Sequence, residues 1–546
     1  MKNILTLITL YFTEDYMKNY MKTNELVKIL AAFFLSAAAL CASDYYFGTS
    51  SGDYFSSGSW FADESRTQPA SGAPNQYEDS AIFYGTSASA WITQYDTYVG
   101  DVVFAGSSSI KFGNQLPKPD NYTAYFNAGG KISAQICGDP VAAVFGTSFD
   151  TAEGAVGIDI TLGGIDVGTQ VYGGKTFESY GNASLSFAFS DERITSSAIR
   201  VKGDVNVGGG LDMRSSAVLD IAADKVAVEG VVNMKLNGGS YSNILFQKAT
   251  VFEIGGLNAT SERNDFTICN TGGFSSDIVF KNAAGRDFQF IGNICDDGNS
   301  LQYKHDGVVN IAMDGAGTQR IFQSMWSASS SYQYNAQQRG TVSSKSGRLF
   351  MDNSRIAADY RQAALSLEGG KFGAGHYESS NTGTAYFKTA NFESGGFAYE
   401  NFANHNTMET GTGDKIIITE TFTKAAGSGK ISVDFSDASG NALNLENFIL
   451  ADSADSVKYW AEILTAGELS GFNLDTLLSD GAYDANADFY AEGIENGVVV
   501  FKWVESLDSG YSLQVGFAQV PEPAAAVALG GVLALVYARM KSKRRR

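Results

Sequence analysis

The chain has 546 residues, which is long enough for more than one domain and for a substantial buried core. Its formal net charge is −20, and the charge becomes more negative when the basic C-terminus is left out. Such an acidic chain repels nucleic acid and anionic lipid, so we expect no nucleic-acid partner and no basic site for phosphate groups.

Residues 1–43 have the layout of a secretory signal peptide. Lys22 and Lys28 precede an apolar core from Ile29 to Cys41, and small residues follow it. This order is typical of a segment that directs export and is then removed. The sequence leaves the start of translation open between Met1, Met17 and Met21.

Residues 44–85 are predicted to form an N-terminal capping module. Trp60 is followed by a loop with Pro69 and Pro74, and then by a strand around Asp79 to Phe83. This arrangement resembles the opening of autotransporter-type passenger domains. A stack of strands needs such a cover so that water does not reach its first core layer.

Residues 86–411 are predicted to form the body, as a Gly-rich parallel β-helix. Apolar residues alternate with polar ones over short runs that end at Gly, Asn, Asp or Ser, which indicates half-buried strands. The clearest alternating pairs are Val205–Val207, Leu211–Met213, Leu219–Ile221, Val226–Val228 and Val232–Met234. A sandwich or barrel stays open as an alternative, but the length of the segment favours a solenoid.

Residues 412–519 are predicted to form a small β-rich C-terminal cap. Within it, a helix is expected to begin at Ser453, because Val457, Trp460 and Leu464 would lie on one helical face. Asn496 and Gly497 predict a hairpin turn, since Asn-Gly tolerates positive φ angles.

Residues 520–546 combine a Pro-Glu-Pro motif, an apolar stretch and a basic tail. Pro521, Glu522 and Pro523 come first, and the stretch from Ala524 to Ala538 is predicted to form a helix of about 22 Å, shorter than a hydrocarbon core of about 30 Å. The tail places the C-terminus in the cytoplasm and the body outside. Its basic residues are Arg539, Lys541, Lys543, Arg544, Arg545 and Arg546.

This C-terminal order of parts resembles the PEP-CTERM sorting signal of exported bacterial proteins. The resemblance implies processing near Pro521, Glu522 and Pro523 by an exosortase, which is a membrane-embedded protease-transpeptidase. It also implies a transient anchor in the inner membrane and final release or attachment at the cell surface, often among extracellular polysaccharide.

The search for reactive groups yields no catalytic residue, no metal site and no cofactor. His305, His376 and His405 are isolated from one another in the sequence. Asp296 to Asn299 is interpreted as a polar turn rather than a calcium loop, because it lacks the alternating acids of an EF-hand.

Three cysteines remain after the signal peptide, namely Cys137, Cys269 and Cys295. At most one disulfide can form among them, and Cys269 with Cys295 is the nearest pair in sequence. A buried free cysteine behaves as a small hydrophobic residue, and this is the expected role of each.

The sequence therefore favours an all-β, exported bacterial protein of the cell surface or extracellular matrix, acting as a non-catalytic scaffold or adhesin. The alternative is a β-helix protein that binds or degrades polysaccharide. A lyase would need a basic cluster to stabilise the charge of its intermediate, and the acidic composition argues against one.

Overall fold

The computed structural model describes residues 43–518 apart from short internal segments, so residues 1–42 and 519–546 lie outside the described part. One turn of 3-10 helix is present at Ser57–Ser59. Every other regular element among the described residues is a strand, which confirms the predicted all-β class.

In chain order, the first strands are β1 Asp44–Phe47, β2 Ser51–Asp53, β3 Trp60–Phe61, β4 Ser80–Tyr84, β5 Ala88–Ile92, β6 Asp96–Val99, β7 Val102–Ala105, β8 Ser108–Gly113, β9 Tyr122–Gln135, β10 Val141–Ser148, β11 Val156–Thr169, β12 Val171–Tyr172, β13 Lys175–Thr176 and β14 Ala183–Ala188. Next come β15 Ile194–Val201, β16 Val205–Val207, β17 Ala217–Ala222, β18 Lys225–Val228, β19 Val232–Met234, β20 Ser242–Phe246, β21 Val251–Ile254, β22 Leu257–Asn258, β23 Phe266–Asn270, β24 Ser276–Phe280, β25 Asp287–Cys295, β26 Val309–Met313, β27 Thr318–Gln323 and β28 Thr341–Ser344. The last are β29 Arg348–Asp352, β30 Ala364–Ala374, β31 Thr384–Phe387, β32 Thr389–Ala398, β33 Lys415–Lys424, β34 Ile431–Asp434, β35 Leu443–Asn444, β36 Trp460–Ser470, β37 Tyr483–Asp484, β38 Phe489–Glu492, β39 Ile494–Glu495, β40 Val498–Ser506 and β41 Gly510–Ala518.

Most of these strands belong to three ladders of parallel strands, which the chain visits in turn. The first ladder begins with β1, β4 and β7 and ends with β32, β34 and β38. The second begins with β2, β5 and β8, and the third begins with β6, β9, β11 and β15. A long strand can serve two ladders, as β9 does when its first half pairs with β6 and its second half with β7.

One strand from each ladder makes one coil of the structure. On the outside of the first ladder, Asn233 follows Asn206 by 27 residues and Asn258 follows Asn233 by 25, and each amide is hydrogen-bonded to the one before it. This long sheet of stacked parallel strands is consistent with a β-solenoid. Because neighbouring strands lie about 4.8 Å apart, the first ladder is about 65 Å long.

The core is continuous along the whole stack. One cluster of buried hydrophobic residues extends from Phe47 to Phe517. The alternation predicted from Val205 to Met234 is confirmed, except at Leu211–Met213, which lies outside the described residues. The buried members of the predicted pairs are Val205, Val207, Leu219, Ile221, Val226, Val228, Val232 and Met234.

Phenylalanine rings lie on top of one another in the N-terminal coils. Phe47, Phe83 and Phe104 are register partners in the first ladder, with ring centroids 5.2 and 5.1 Å apart. Phe145 contacts Phe104 at 5.8 Å and Phe187 at 5.6 Å. We call these five residues the aromatic stack, and its contacts cross from one coil to the next.

The N-terminal end of the stack is covered by aromatic side chains. Trp60 is fully buried, lies 5.0 Å from Phe47 between ring centroids, and donates its indole N–H to the Tyr54 carbonyl. The predicted strand around Asp79 to Phe83 is present as β4.

The predicted helix at Ser453 is wrong where the structure describes it, because Trp460–Ser470 is the strand β36. A β-bulge between Glu462 and Leu464 shifts the register against β41. Because of the bulge, the consecutive residues Ile463 and Leu464 are both buried. The apolar residues therefore do not alternate strictly along the strand, and their spacing resembles that of a helix.

A positive φ angle is confirmed at Asn496, where φ is 58°, but Gly497 does not share it. The hairpin predicted across these residues is wrong. β39 pairs with β35, whereas β40 pairs with β37 and β41, so the strands on either side of Asn496 do not pair with each other.

Parallel pairing begins at Asp44 in β1 and still holds at Glu492 in β38. The same ladders therefore continue across the predicted boundaries between residues 85 and 86 and between 411 and 412. The division into a capping module, a body and a C-terminal cap stays a prediction.

Candidate functional site

The outer face of the first ladder carries a group of paired charges in its C-terminal coils. The ladder brings these residues together from β25, β27, β29, β30, β34 and β38, with one acid just after β32. We call them the charged cluster, and its members are Asp287, Arg320, Arg348, Lys371, Glu400, Asp434 and Glu492.

Arg320 is held by two carboxylates. Its guanidinium donates to Asp287 at 2.9 Å and to Glu400 at 2.6 and 3.0 Å, so it makes bidentate contacts with both acids. The guanidinium also lies 4.7 Å from the centre of the Phe350 ring. Burial opposes the charge on Arg320, but the hydrogen bonds with Glu400 and Asp287 outweigh it and raise the pKa of Arg320.

Asp434 accepts hydrogen bonds from two cations on neighbouring strands. Arg348 and Lys371 are register partners, and each donates to the same Asp434 oxygen at 2.6 Å. Lys371 also contacts Glu492. The side chain of Asp434 is only 4% exposed, so few water molecules can reach it. Its negative charge reduces the repulsion between the adjacent positive charges of Arg348 and Lys371.

Two pKa shifts follow from this pairing. Burial alone would raise the pKa of Asp434, but hydrogen bonds from Lys371 and Ser436 outweigh it and lower that pKa. Burial would lower the pKa of Lys371, but Asp434 and Glu492 outweigh it and raise that pKa. Both shifts favour the charged forms, as expected for groups that stabilise each other.

A cleft of about 540 Å³ lies beside the charged cluster. Several glycines line this cleft, and Arg348, Lys371 and Asp287 contribute charge to its lining. Gly347 has a φ of 60°, and a Cβ added there would lie 2.3 Å from the Gly315 carbonyl oxygen. This turn therefore requires glycine, because a side chain there would meet the turn of the preceding coil.

The charged cluster ties together strands that are far apart in sequence. Arg320 and Glu400 are 80 residues apart, Arg348 and Asp434 are 86 apart, and Lys371 and Glu492 are 121 apart. Because each cation already contacts carboxylates, the arrangement is suited to holding coils together rather than to activating a nucleophile or a proton donor.

The sequence-predicted sorting residues lie outside the described part of the chain. This holds for Pro521, Glu522 and Pro523 and for the apolar stretch and basic tail that follow them. In the part of the chain that the structure describes, no helix is long and apolar enough to cross a membrane.

Asp296, at the start of the predicted polar turn, has a structural role. It is buried, accepts hydrogen bonds from the Val309 and Arg339 amides at 2.8 and 2.7 Å, and pairs with the Arg339 side chain. Burial raises the pKa of Asp296, even though these hydrogen bonds oppose the shift. Asp297 to Asn299 lie outside the described residues.

Of the three histidines, one lies in the part of the chain that the structure describes. His376 follows β30, while His305 and His405 lie outside the described residues. Within the described ranges, no group of three or more His, Cys, Asp and Glu residues could hold a metal ion.

Cys269 and Cys295 are register partners on the adjacent strands β23 and β25. Both side chains are buried, and they pack with Leu245 in a small cluster separate from the main core. The pair predicted from sequence spacing is therefore adjacent in space. Cys137 lies outside the described residues.

Sequence reasoning did not identify the charged cluster. Its acids and cations belong to different coils, and nothing in the local sequence around Arg348 or Asp434 indicates the other. Coil lengths vary, as the separations of 27 and 31 residues between hydrogen-bonded neighbours in successive coils show. The register between coils must be known before such pairs can be found.

Comparison with known proteins finds no matching family model, no similar curated protein and no similar solved structure. The resemblances to the PEP-CTERM signal and to autotransporter passenger domains stay predictions from the sequence.

Proposed function

We propose that this chain is an exported bacterial protein of the cell surface or extracellular matrix that serves as a non-catalytic scaffold or adhesin. In this proposal the body is a Gly-rich parallel β-helix closed by a β-rich cap. The observation that supports it best is the continuous core from Phe47 to Phe517, stacked along about 65 Å of parallel strands. An extended, self-supporting rod suits a spacer that presents a surface away from its attachment point.

The two ends of the chain supply the route in this proposal. Residues 1–43 direct export, and residues 520–546 hold the chain in the inner membrane until an exosortase processes it near Pro521, Glu522 and Pro523. The short apolar helix is a weak anchor, and its basic tail adds about 1 kcal/mol per charge against an anionic leaflet. Such an anchor suits a temporary stage of sorting.

The test is to express the tagged full chain in a bacterium that contains an exosortase and to follow its location and size. We expect the protein outside the inner membrane, shortened at both ends, with residues 520–546 removed. Glu522→Ala should leave the C-terminal signal in place. Glu495→Ala, which changes an exposed acid in β39, is the matched control and should be processed normally. A full-length chain that stays uncut in the cytoplasm would falsify the proposal.

Binding or cleavage of polysaccharide is the second candidate function. A group of exposed tyrosines near the N-terminal end of the stack favours binding of polysaccharide over its cleavage. Incubation of the purified chain with acidic and neutral glycans distinguishes binding from cleavage, because release of reducing ends or unsaturated products would indicate an enzyme.

A further inference from the structure

Three of the large hydrophobic side chains that are exposed in the described part of the chain lie together. Tyr77, Tyr98 and Tyr125 are 53%, 37% and 44% exposed. A single exposed tyrosine on a strand needs no explanation, because aromatic residues favour strands. A contiguous group of exposed aromatic rings is typical of a binding surface. We call these three residues the tyrosine patch.

The rings of the tyrosine patch are arranged at an angle and close together. The Tyr77 and Tyr98 ring centroids lie 5.3 Å apart with an interplanar angle of 72°. Tyr98 is the register partner of Asn127 on the next strand, two residues beyond Tyr125. From the strand spacing and the rise per residue, the Cα atoms of Tyr98 and Tyr125 are about 8 Å apart.

The backbone beneath the tyrosine patch is fixed by the core. Thr97 and Val99 point inward on either side of Tyr98, and both are fully buried. Tyr77 lies against Gly129 in β9, where an added Cβ would be 2.9 Å from the Tyr77 ring. The patch is therefore held in place before any ligand arrives, which lowers the entropic cost of binding.

Two acidic residues flank Tyr125 of the tyrosine patch. Asp96 and Asp159 are the register partners of Tyr125 on its two neighbouring strands. Arg200 donates to both oxygens of Asp159 at 2.6 and 2.8 Å, which leaves that carboxylate paired, whereas Asp96 is exposed. An ionised carboxylate only accepts hydrogen bonds, so this surface repels anions and favours a ligand rich in hydroxyl donors.

We propose that the tyrosine patch binds a neutral polysaccharide chain. The C–H faces of sugar rings carry a small positive charge that the electron-rich faces of the tyrosine rings attract, while the hydroxyl groups at the ring edges donate to Asp96. A sugar chain that carries carboxylates or sulfates would meet both this acid and the net charge of −20 of the whole chain.

The position of the tyrosine patch fits the proposed scaffold. Along the third ladder it lies about 55 Å from β36, at the opposite end of the stack from the predicted sorting signal. A chain attached through its C-terminus would present the patch at its far end. This argument about position rests on the proposed function, but binding itself is independent of export and can be tested on purified protein.

The experiment measures binding of the full chain, purified in mild detergent, to soluble neutral glucan, mannan and xylan and to alginate as the anionic control. We expect at least one neutral glycan to bind and alginate to bind more weakly. Tyr98→Ala and Tyr125→Ala should each weaken binding about fivefold or more, whereas Tyr98→Phe, which keeps the ring, should retain it.

Tyr490→Ala is the matched control, because Tyr490 is 43% exposed and lies far from the patch in β38. It should leave binding unchanged, and circular dichroism should show that every variant keeps its strand content.

The proposal is overturned if no neutral glycan binds, if alginate binds better, or if the tyrosine variants bind normally. It is also overturned if the wild type self-associates through this surface and the variants are monomeric. If the chain is exported normally but binds no neutral glycan, the binding proposal fails and the proposed scaffold function stands. If the chain binds a neutral glycan but is never exported, the proposed scaffold function fails and the binding proposal stands.

Discussion

The N-terminal and C-terminal coils share one backbone plan but are held together by different forces. In the N-terminal coils, rings of the aromatic stack contact one another inside the core, from Phe47 to Phe187. In the C-terminal coils, the charged cluster joins strands on the outer face, and Asp434 accepts hydrogen bonds from both Arg348 and Lys371. Hydrophobic contacts are indifferent to pH, whereas paired charges are not, so the two ends should respond differently to the same disturbance.

The largest effect is expected from Phe145→Ala. Phe145 is fully buried and contacts the rings of Phe104, Phe126 and Phe187. Its removal leaves a cavity that should cost about 3–5 kcal/mol of unfolding free energy, measured by chemical denaturation. Hydrogen exchange should increase in β8, β10 and β14 and stay unchanged in β29 to β38. Tyr125→Ala, on the exposed face of β9, is the control and should cost less than about 1 kcal/mol.

The next largest effect is expected from Asp434→Asn. The change leaves Arg348 and Lys371 adjacent without their shared anion, although Glu400 and Glu492 stay as partial replacements. We expect a loss of about 1–3 kcal/mol, with faster exchange in the C-terminal coils.

The control for that change is Asp159→Asn, which breaks an ion pair with Arg200. The Arg200 side chain is 56% exposed, so this pair should contribute less than about 1 kcal/mol. Equal losses from the two variants would show that the charged cluster adds nothing beyond an ordinary surface pair.

A pH series sharpens the comparison further. The pKa of Asp434 is lowered in the folded protein, so its contribution to stability is present above its ordinary value of 3.8 and disappears as the pH falls through the lower folded pKa. The difference in unfolding free energy between wild type and Asp434→Asn should therefore shrink below about pH 4. The difference between wild type and Phe145→Ala should not change in this way.

The smallest effect concerns the coils between the two regions, where Cys269 and Cys295 are stacked. Both side chains are buried, so a maleimide should label them slowly in the native protein and rapidly after denaturation. Neither treatment needs a reductant. If the denatured protein gains two further labelled thiols only after reduction, two of its cysteines form a disulfide instead.

The strands were predictable because their evidence is local. In the strands β16, β17, β18 and β19 the apolar residues of the alternating pairs are the buried ones, so the pattern alone predicts the buried set. The pattern failed at Ile463 and Leu464, where one bulge placed two apolar residues in succession. A single extra residue in a strand changes the apparent period, and its presence depends on the partner strand β41.

The charged cluster and the tyrosine patch could not be predicted because they depend on register between coils. Tyr77 meets Tyr98 only because the loop before β4 packs against Gly129 in β9. Arg320 and Glu400 meet only after the coils between them have been stacked in the correct order. The apolar alternation predicts which residues face outward, but not which outward residues become neighbours.

The reversed strands at the two ends of the stack have a consequence for assembly. β3 runs antiparallel to β1, and β41 runs antiparallel to both β36 and β40. An open parallel edge would offer its free amides to an identical molecule and allow growth into fibres. At β1 and β36 the terminal edge is occupied by a strand of opposite direction, so a second copy of this chain cannot extend the parallel pairing directly from these two strands.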